Sequence, residues 1–173
     1  MAQLQTSGTP EQINDFIRGG HSLRADLAGR LVDVLSLPVE QVNENERVFT
    51  ADILVQLFDH LPLEVRAELS ARISVVLCPP TLFLRRMLLD DISVAAPMID
   101  NLTDIPDTLL MEAATMSPQH RARISRRMRL NDHLVETIIA QGDIEATLLL
   151  LKRDDVTISK QCIEDLVLQT EHN

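Results

Sequence analysis

Apolar residues recur along this chain at the three- and four-residue spacing of amphipathic α-helices. No useful stretch alternates between apolar and polar residues with period two, so we predict no β-strands. The helical pattern begins at Thr9-Pro10, where Thr suits the N-cap and Pro suits the first helical position. We expect this first helix to stop at Gly19-Gly20. Residues 1–8 precede the pattern and are predicted to form a disordered tail.

Two more helices are predicted before residue 60. One begins near Ser22 and stops before Pro38. Its apolar face is formed by Leu23, Leu27, Leu31, Val34 and Leu35. The other begins at Asn43, because the spacing from Asn43 to Glu46 resembles a capping box. Its apolar face is formed by Phe49, Ile53, Leu54, Leu57 and Phe58. Residues 9–60 are therefore predicted to cap the rest of the same domain or to mediate dimerisation.

Beyond residue 60 the predicted helices are short and recur in pairs. Each pair contains a turn made of an apolar residue followed by a helix starter, and successive turns lie 27, 25 and 28 residues apart. These turns are Cys78-Pro79, Ile105-Pro106, Leu130-Asn131 and Ile158-Ser159. The predicted pairs span residues 62–89, 91–116, 117–142 and 143–170. Pro97 is expected to kink its helix or to begin it, and Gly142 is expected to end another.

An internal match supports this repetition. Residues 66–73 and 121–128 share the pattern R-A-x-(L/I)-S-x-R-(I/M) and lie 55 residues apart, which is two periods. Helix pairs that recur at a fixed period are typical of a stacked α-solenoid. We therefore predict an all-α fold: a short right-handed α-solenoid of about four HEAT-like antiparallel helix pairs, preceded by two or three N-terminal helices. The repeats are assigned to residues 61–170, and a short tail is assigned to 171–173.

The stretch from about Arg30 to Thr170 also resembles a known family. The matching segments are 65–70, 90–97, 124–127, 134–137 with Gly142-Asp143, and 156–159. In this order and spacing they are similar to alphaproteobacterial proteins grouped as a domain of unknown function with HEAT-like helical repeats. The resemblance implies an all-helical superhelical fold and no particular activity. Family members tend to have Ala at the position of Ser125 and Pro at that of Met128. They also tend to be uncharged or Asn-Pro-like across 152–155, so local binding is expected to differ here.

The composition narrows the class of protein. The chain has 173 residues and is 45% hydrophobic, with four Phe and no Trp or Tyr. An aliphatic core of this kind favours helix packing over a β-sandwich. Cys78 and Cys162 form no C-x-x-C pattern, and each is predicted to be a small core residue. The N-terminus lacks a secretion-signal pattern, and no apolar run is long enough to span a bilayer, so we predict a cytoplasmic location without membrane contact.

Sequence motifs for catalysis and for cofactor or metal binding are missing. There is no G-x-G-x-x-G, no G-x-x-x-x-G-K-(S/T) and no H-E-x-x-H, and the five His are scattered. Asp90-Asp91 and Asp154-Asp155 fall at predicted helix junctions, where Asp caps free backbone N–H groups. We therefore predict that the protein is not an enzyme, that it uses no cofactor, and that it has no catalytic or metal-binding residues.

A basic segment is the main candidate for binding chemistry. The formal net charge is −10, yet residues 117–142 hold five bases against two acids, and residues 121–129 read RARISRRMR. On a helical wheel Ile124 and Met128 mark the buried side of this segment. The internal match aligns Arg121 and Arg127 with Arg66 and Arg72, so both are expected to belong to the framework of the repeat.

The candidate partner-binding residues are Arg123, Arg126, Arg127 and Arg129. The prediction depends most on Arg123 and Arg126, because they align with Glu68 and Ala71 and the repeat does not require them. Arg129 is expected near a helix end, where a cation suits the negative end of the helix dipole. A solvated basic face, or ion pairs to neighbouring acidic helices, is the alternative interpretation of the whole run.

These patterns predict a non-enzymatic cytoplasmic interaction module or regulator that binds a partner protein or peptide through its concave face. The second helix of each pair would line that face. These helices are expected within residues 80–89, 106–115, 131–141 and 159–169. An acidic partner would suit the arginines, and a homodimer is left open. The alternative is a nucleic-acid-binding or DNA-repair-like HEAT-type protein that uses the basic helix 118–129. The acidic net charge and the scarcity of aromatic residues disfavour it.

Overall fold

The computed structural model describes residues 10–38, 40–76 and 79–159. The helices in this part of the chain are α1 (Pro10–Leu35), α2 (Glu44–Phe58), α3 (Leu63–Ile73), α4 (Thr81–Leu88), α5 (Ile92–Asn101), α6 (Asp107–Ala114), α7 (Pro118–Ile124), α8 (Asp132–Ala140) and α9 (Ile144–Leu151). No described residue lies in a β-strand, which confirms the all-α prediction. The predicted tails, the two cysteines and the predicted last helix from residue 160 onward lie outside the described residues.

The helices pack in two adjacent layers. In the odd layer, α3 contacts α1 and α5, and α7 contacts α5 and α9. In the even layer, α4 contacts α2 and α6, and α6 contacts α8. The two layers are joined where α1 packs on α2, α4 on α5, α6 on α7 and α8 on α9. Each helix from α3 onward therefore contacts the helix two positions before it in the chain.

Short and long connections between the helices alternate. Three-residue connections join α4 to α5, α6 to α7 and α8 to α9. From α3 onward, the longer connections are residues 74–80, 102–106 and 125–131, and they contain the first three predicted turns. The three-residue connections thus lie between successive predicted pairs. Within each of the first three predicted pairs, a longer connection joins the two helices. Side-chain hydrogen bonds join the C-terminal ends of α3, α5 and α7, so the longer connections lie along one edge, here called the loop edge.

The core between the layers is aliphatic, as the composition predicts. One continuous cluster runs from α1 to α9, and its largest fully buried side chains include Leu54, Phe83, Met98 and Leu134. Phe58 and Phe83 meet edge to face, with ring centroids 5.3 Å apart, where α2 packs against α4. The core therefore extends across the repeats without a break.

The prediction that a helix stops at Gly19-Gly20 is wrong. A single helix, α1, runs from Pro10 through both glycines to Leu35. Glycine ends a helix efficiently when it adopts the left-handed conformation, and Gly20 does not have a positive φ. In a helix interior each glycine costs about 1 kcal/mol relative to Ala, which tertiary packing can offset. That packing comes from Ala28, Val32 and Leu35, which are fully buried.

The predicted apolar faces of the first helices are only partly correct. Leu35 of α1 and Leu54 and Phe58 of α2 are fully buried, as predicted. Leu23 is instead largely exposed, and the side chain of Phe49 is 67% exposed. The reason is that α2 packs against both α1 and α4, which turns its buried face toward Ala51, Leu54 and Phe58.

Several predicted helix ends are confirmed in detail. Asn43 forms the capping box of α2: the backbone N–H of Glu46 donates to its side chain, and its own N–H donates to Glu46, both at 3.0 Å. Asp91 caps α5, whereas Asp90 is buried in an ion pair. Asp155 pairs with Arg153, and the helix predicted to follow it lies outside the described residues. The α5 helix begins at Ile92 and continues through Pro97.

Two residues with left-handed backbone offer a paired stability test. Gly142 follows α8 with φ 69°, and Arg129 has φ 61°. Left-handed backbone costs a residue with a side chain about 1–2 kcal/mol. Gly142→Ala is therefore expected to reduce the free energy of unfolding by about 1 kcal/mol and to lower Tm by about 2–4 °C. Arg129→Gly is expected to leave Tm unchanged or to raise it. Thermal unfolding followed by circular dichroism measures both, and a lower Tm for Arg129→Gly would contradict this account.

Candidate functional site

Arg121 is a buried framework residue that ties α7 to its neighbours. Its Nε donates to Asp143 Oδ2 at 3.1 Å, and its Nη1 donates to the carbonyl oxygen of Ala114 at 3.0 Å. Arg66, its match in the repeat, makes the same kinds of contact with Asp90 and with the carbonyl of Leu61. Each arginine thus holds the start of the next helix in the odd layer, as the internal match predicted.

Arg127 caps the end of the preceding helix in the odd layer. Its guanidinium donates to the carbonyl oxygens of Ile99 and Thr103, the latter at 3.0 Å, and so satisfies acceptors that the end of α5 leaves free. Arg153 does the same for α7 by donating to the carbonyls of Ser125 and Arg127. Burial lowers the pKa of Arg127, and three nearby aspartates counteract this effect. The guanidinium of Arg127 therefore serves the fold through these hydrogen bonds and is not a free cation.

The remaining arginines of the run differ in the ion pairs and hydrogen bonds that they form. Arg123 forms an ion pair with Asp100 on α5. Arg126 is 60% exposed, and its Nη2 lies 3.9 Å from Glu145 Oε1, which makes a long and solvated contact. Arg129 forms no hydrogen bond or ion pair within the part of the chain that the structure describes. Within the described residues, Arg126 and Arg129 are thus the least engaged cations of this run.

All four candidate arginines line one groove at the loop edge, here called the arginine groove. Its volume is about 570 Å³. The lining also includes Met128 and three aspartates, Asp100, Asp104 and Asp107. Buried apolar residues such as Ile105 and Leu110 complete it. The groove therefore combines basic, acidic and apolar residues, and one of its arginines, Arg123, is paired with Asp100.

The helical wheel misplaces the end of the run. It put Met128 on the buried side, but the Met128 side chain is 87% exposed. The reason is that α7 ends at Ile124, so the residues that follow no longer obey helical spacing. Arg129 likewise lies five residues beyond the helix and makes no capping contact in the described structure. The wheel remains correct for Ile124, which is fully buried.

The arginine groove does not lie on the surface that the sequence suggested for a partner. That surface was assigned to residues 80–89, 106–115 and 131–141, which correspond to α4, α6 and α8 of the even layer. The groove instead opens at the loop edge, between the connection 102–106 and residues 123–129. Of the even layer, α6 reaches it with its first turn, through Asp107 and Leu110. The candidate arginines and the predicted concave face are thus different places on the molecule.

A second groove lies one repeat earlier along the same edge, and the sequence analysis missed it. This valine groove has a volume of about 440 Å³ and is lined by Ser74, Val75, Val76, Pro79 and residues 100–104. Four residues, Asp100, Leu102, Thr103 and Asp104, belong to both grooves. The signal that could have revealed it is the regular spacing of the turns, which predicts that successive loops meet at one edge.

His120 is a buried titratable group away from both grooves. It is 2% exposed, its Nδ1 shares a hydrogen bond of 2.7 Å with Ser117 Oγ, and its Nε2 is buried without a hydrogen-bond partner in the described structure. Burial lowers its pKa below the ordinary value of 6.5, and the charge of nearby Asp91 partly opposes the shift. Arg121 adds to the lowering. Burial therefore favours the neutral form of the His120 ring in the folded protein.

This environment predicts a pH-dependent stability. Because the folded state holds the pKa of His120 below its unfolded value, the unfolded state binds a proton first as pH falls below about 6.5. The stabilising contribution of neutral His120 is thus present above that pH and is lost as pH decreases toward the folded pKa. His120→Gln is expected to lose less stability than the parent protein between about pH 7.5 and 5.5. Urea unfolding at both pH values measures the difference, and equal losses would contradict the prediction.

The described residues contain neither a cluster of metal ligands nor a membrane-spanning helix. Among residues 10–38, 40–76 and 79–159, no three His, Cys, Asp or Glu side chains are grouped so that they could hold a metal ion. In the same part of the chain, no helix has both the length and the apolar character needed to cross a bilayer.

Comparison of the chain with protein-family models, with curated proteins and with solved structures gives no match. The resemblance to the alphaproteobacterial helical-repeat family stays a prediction from the sequence. Any functional conclusion therefore depends on the chemistry of the grooves themselves.

Proposed function

We propose that this protein is a non-enzymatic interaction module that binds a segment of a partner protein in the arginine groove. The observation that carries the proposal is that Arg126 and Arg129 line a groove of about 570 Å³ and have no close partner among the residues that the structure describes. The other arginines of the run are engaged by Asp100, Asp143 and backbone carbonyls. If Arg126 and Arg129 served only the fold, we would expect them to form ion pairs or hydrogen bonds like those of the other arginines.

The scaffold of the proposal is a right-handed α-solenoid of HEAT-like helix pairs. The two layers of helices, each packed on the member two positions before it, support that description. Such a scaffold holds its loops on rigid helix ends, so a groove between loops is preorganised for binding. Arg127 and Arg153 add to this rigidity because each links consecutive helices of the odd layer.

The backbone of Arg129 offers separate support. A left-handed conformation at a residue with a side chain is strained, and such strain concentrates at functional positions. A glycine would relieve the strain at this surface position. We infer that arginine occupies this strained position because its side chain binds a partner.

The test is a selection of peptides from a random display library on the immobilised protein. Binders are then measured by fluorescence anisotropy against Arg126→Glu/Arg129→Glu and against Arg24→Glu/Arg30→Glu. The second variant has the same change in net charge, and Arg24 and Arg30 are exposed residues of α1 without a hydrogen bond or ion pair in the described structure. We expect the groove variant to weaken binding by about tenfold or more and the control to change it little.

Two outcomes would overturn the proposal. One is that no selected peptide distinguishes the groove variant from the control. The other is that the protein binds duplex DNA at micromolar or lower concentration, with an affinity that falls steeply as salt rises and that depends on Arg126 and Arg129. The second result would favour the nucleic-acid-binding alternative. Circular dichroism of both variants establishes that each remains folded.

A further inference from the structure

We infer that the arginine groove and the valine groove together hold one extended peptide segment, which crosses the connection 102–106 and carries its carboxylates at the arginine end. This inference rests on the proposed function and specifies the chemistry of the partner. The inferred peptide has one apolar side chain on each side of the connection 102–106 and a hydrogen-bond donor between them. Its acidic residues lie beyond the end that reaches Met128.

The two grooves are adjacent because they share four lining residues, Asp100, Leu102, Thr103 and Asp104, here called the shared wall. A chain that leaves one groove over this wall enters the other. Hydrogen bonds hold the shared wall to the neighbouring loops on both sides. Asn101 Nδ2 donates to Ser74 Oγ at 2.9 Å on the side of the valine groove, and Arg127 donates to the carbonyl oxygens of Ile99 and Thr103 on the side of the arginine groove.

An exposed apolar side chain stands in each groove. Val75 is 76% exposed and Met128 is 87% exposed, although Ile73 and Ile124, the last residues of the helices before them, are fully buried. The two residues follow α3 and α7, which are separated by α5 in the odd layer. Packed helices lie about 8–10 Å apart, so the two side chains are roughly 16–20 Å apart. An extended peptide spans that distance with about five or six residues.

The charges along the surface give the peptide a direction. Arg126 and Arg129 lie at the Met128 end, and Lys152 adjoins Arg153, which is bonded to the carbonyls of Ser125 and Arg127. Because these carbonyl oxygens already accept hydrogen bonds from a guanidinium group, they do not repel an anion. This end favours carboxylates.

The centre of the surface has the opposite preference. Asp104 lies on the shared wall, and its carboxylate accepts one long hydrogen bond, 3.3 Å from Thr103 Oγ1. Asp100 beside it is already paired with Arg123. Asp104 therefore favours an amide or cationic donor at the middle of the segment. A uniformly acidic peptide would be repelled here.

The experiment uses the binders selected on the full chain. Dissociation constants are measured for Val75→Asp and Val75→Ser, and for Leu82→Asp as a matched control, since Leu82 is a half-exposed apolar residue on α4 in the even layer. We expect Val75→Asp to weaken binding by about tenfold and Val75→Ser by less, with the control unchanged. The selected peptides are expected to share two apolar positions five or six residues apart, followed by Asp or Glu.

The outcomes separate this inference from the proposed function. Binding that depends on Arg126 and Arg129 but not on Val75 would overturn the two-groove segment and leave the single-groove function intact. Groove-dependent binders enriched in Lys and Arg rather than in Asp and Glu would overturn the acidic partner. Loss of affinity in the Leu82 control to the same degree would show a nonspecific effect and would also overturn the inference.

Discussion

Replacing Arg121 with methionine is expected to reduce the free energy of unfolding by about 3–5 kcal/mol. Arg121 and Asp143 are both about nine-tenths buried, and the guanidinium also satisfies the carbonyl of Ala114. Removing the arginine leaves the Asp143 carboxylate buried without its partner. The loss is large because an unpaired buried charge cannot recover its hydration. Urea unfolding followed by circular dichroism measures it.

Two controls identify the cause of that loss. Arg85→Met removes one partner of the exposed ion pair between Arg85 and Glu112 and is expected to cost about 0–1 kcal/mol. Arg121→Met combined with Asp143→Asn is expected to be more stable than Arg121→Met alone, because it removes the unpaired charge while Asn can still cap α9. A double variant no more stable than the single one would assign the loss to packing instead.

Phe58→Ala is expected to reduce the free energy of unfolding by about 3–5 kcal/mol. Phe58 is fully buried at the junction of α2 and α4, where it meets the edge of Phe83. The guanidinium carbons of Arg66 and Arg86 also lie 5.9 and 5.6 Å from the centre of its ring. Truncation to alanine removes these contacts and leaves a cavity that the surrounding helices fill incompletely. The midpoint and slope of urea unfolding report the change.

Phe49→Ala is the matched control for Phe58. Both phenylalanines lie in α2, and the sequence pattern assigned both to its apolar face, but Phe49 is largely exposed. Its replacement is expected to change the free energy of unfolding by less than about 0.5 kcal/mol. A large destabilisation by Phe49→Ala would mean that its exposed position in the isolated chain is covered in solution, as a homodimer through the N-terminal helices would require.

The arginine run shows which site features were predictable. The internal match identified Arg121 and Arg127 as framework residues, and the structure gives them the contacts that such residues need. The internal match also identified Arg123 and Arg126 as the main binding candidates. In the described structure, however, Arg123 is paired with Asp100, whereas Arg129 has no ion pair. The difference arises because α7 stops at Ile124, which turns the last residues of the run into a loop.

The sequence by itself determined the local features of this protein. Helical spacing, the capping box at Asn43, the cap at Asp91 and the end of α8 at Gly142 depend on residues a few positions apart, and each is in place. The tertiary structure decided which apolar side chains are buried and which arginines are free. Those outcomes depend on neighbours more than 20 residues away, such as Asp100 for Arg123 and Ile99 for Arg127. Local spacing cannot encode such contacts, because they exist only once the layers have packed.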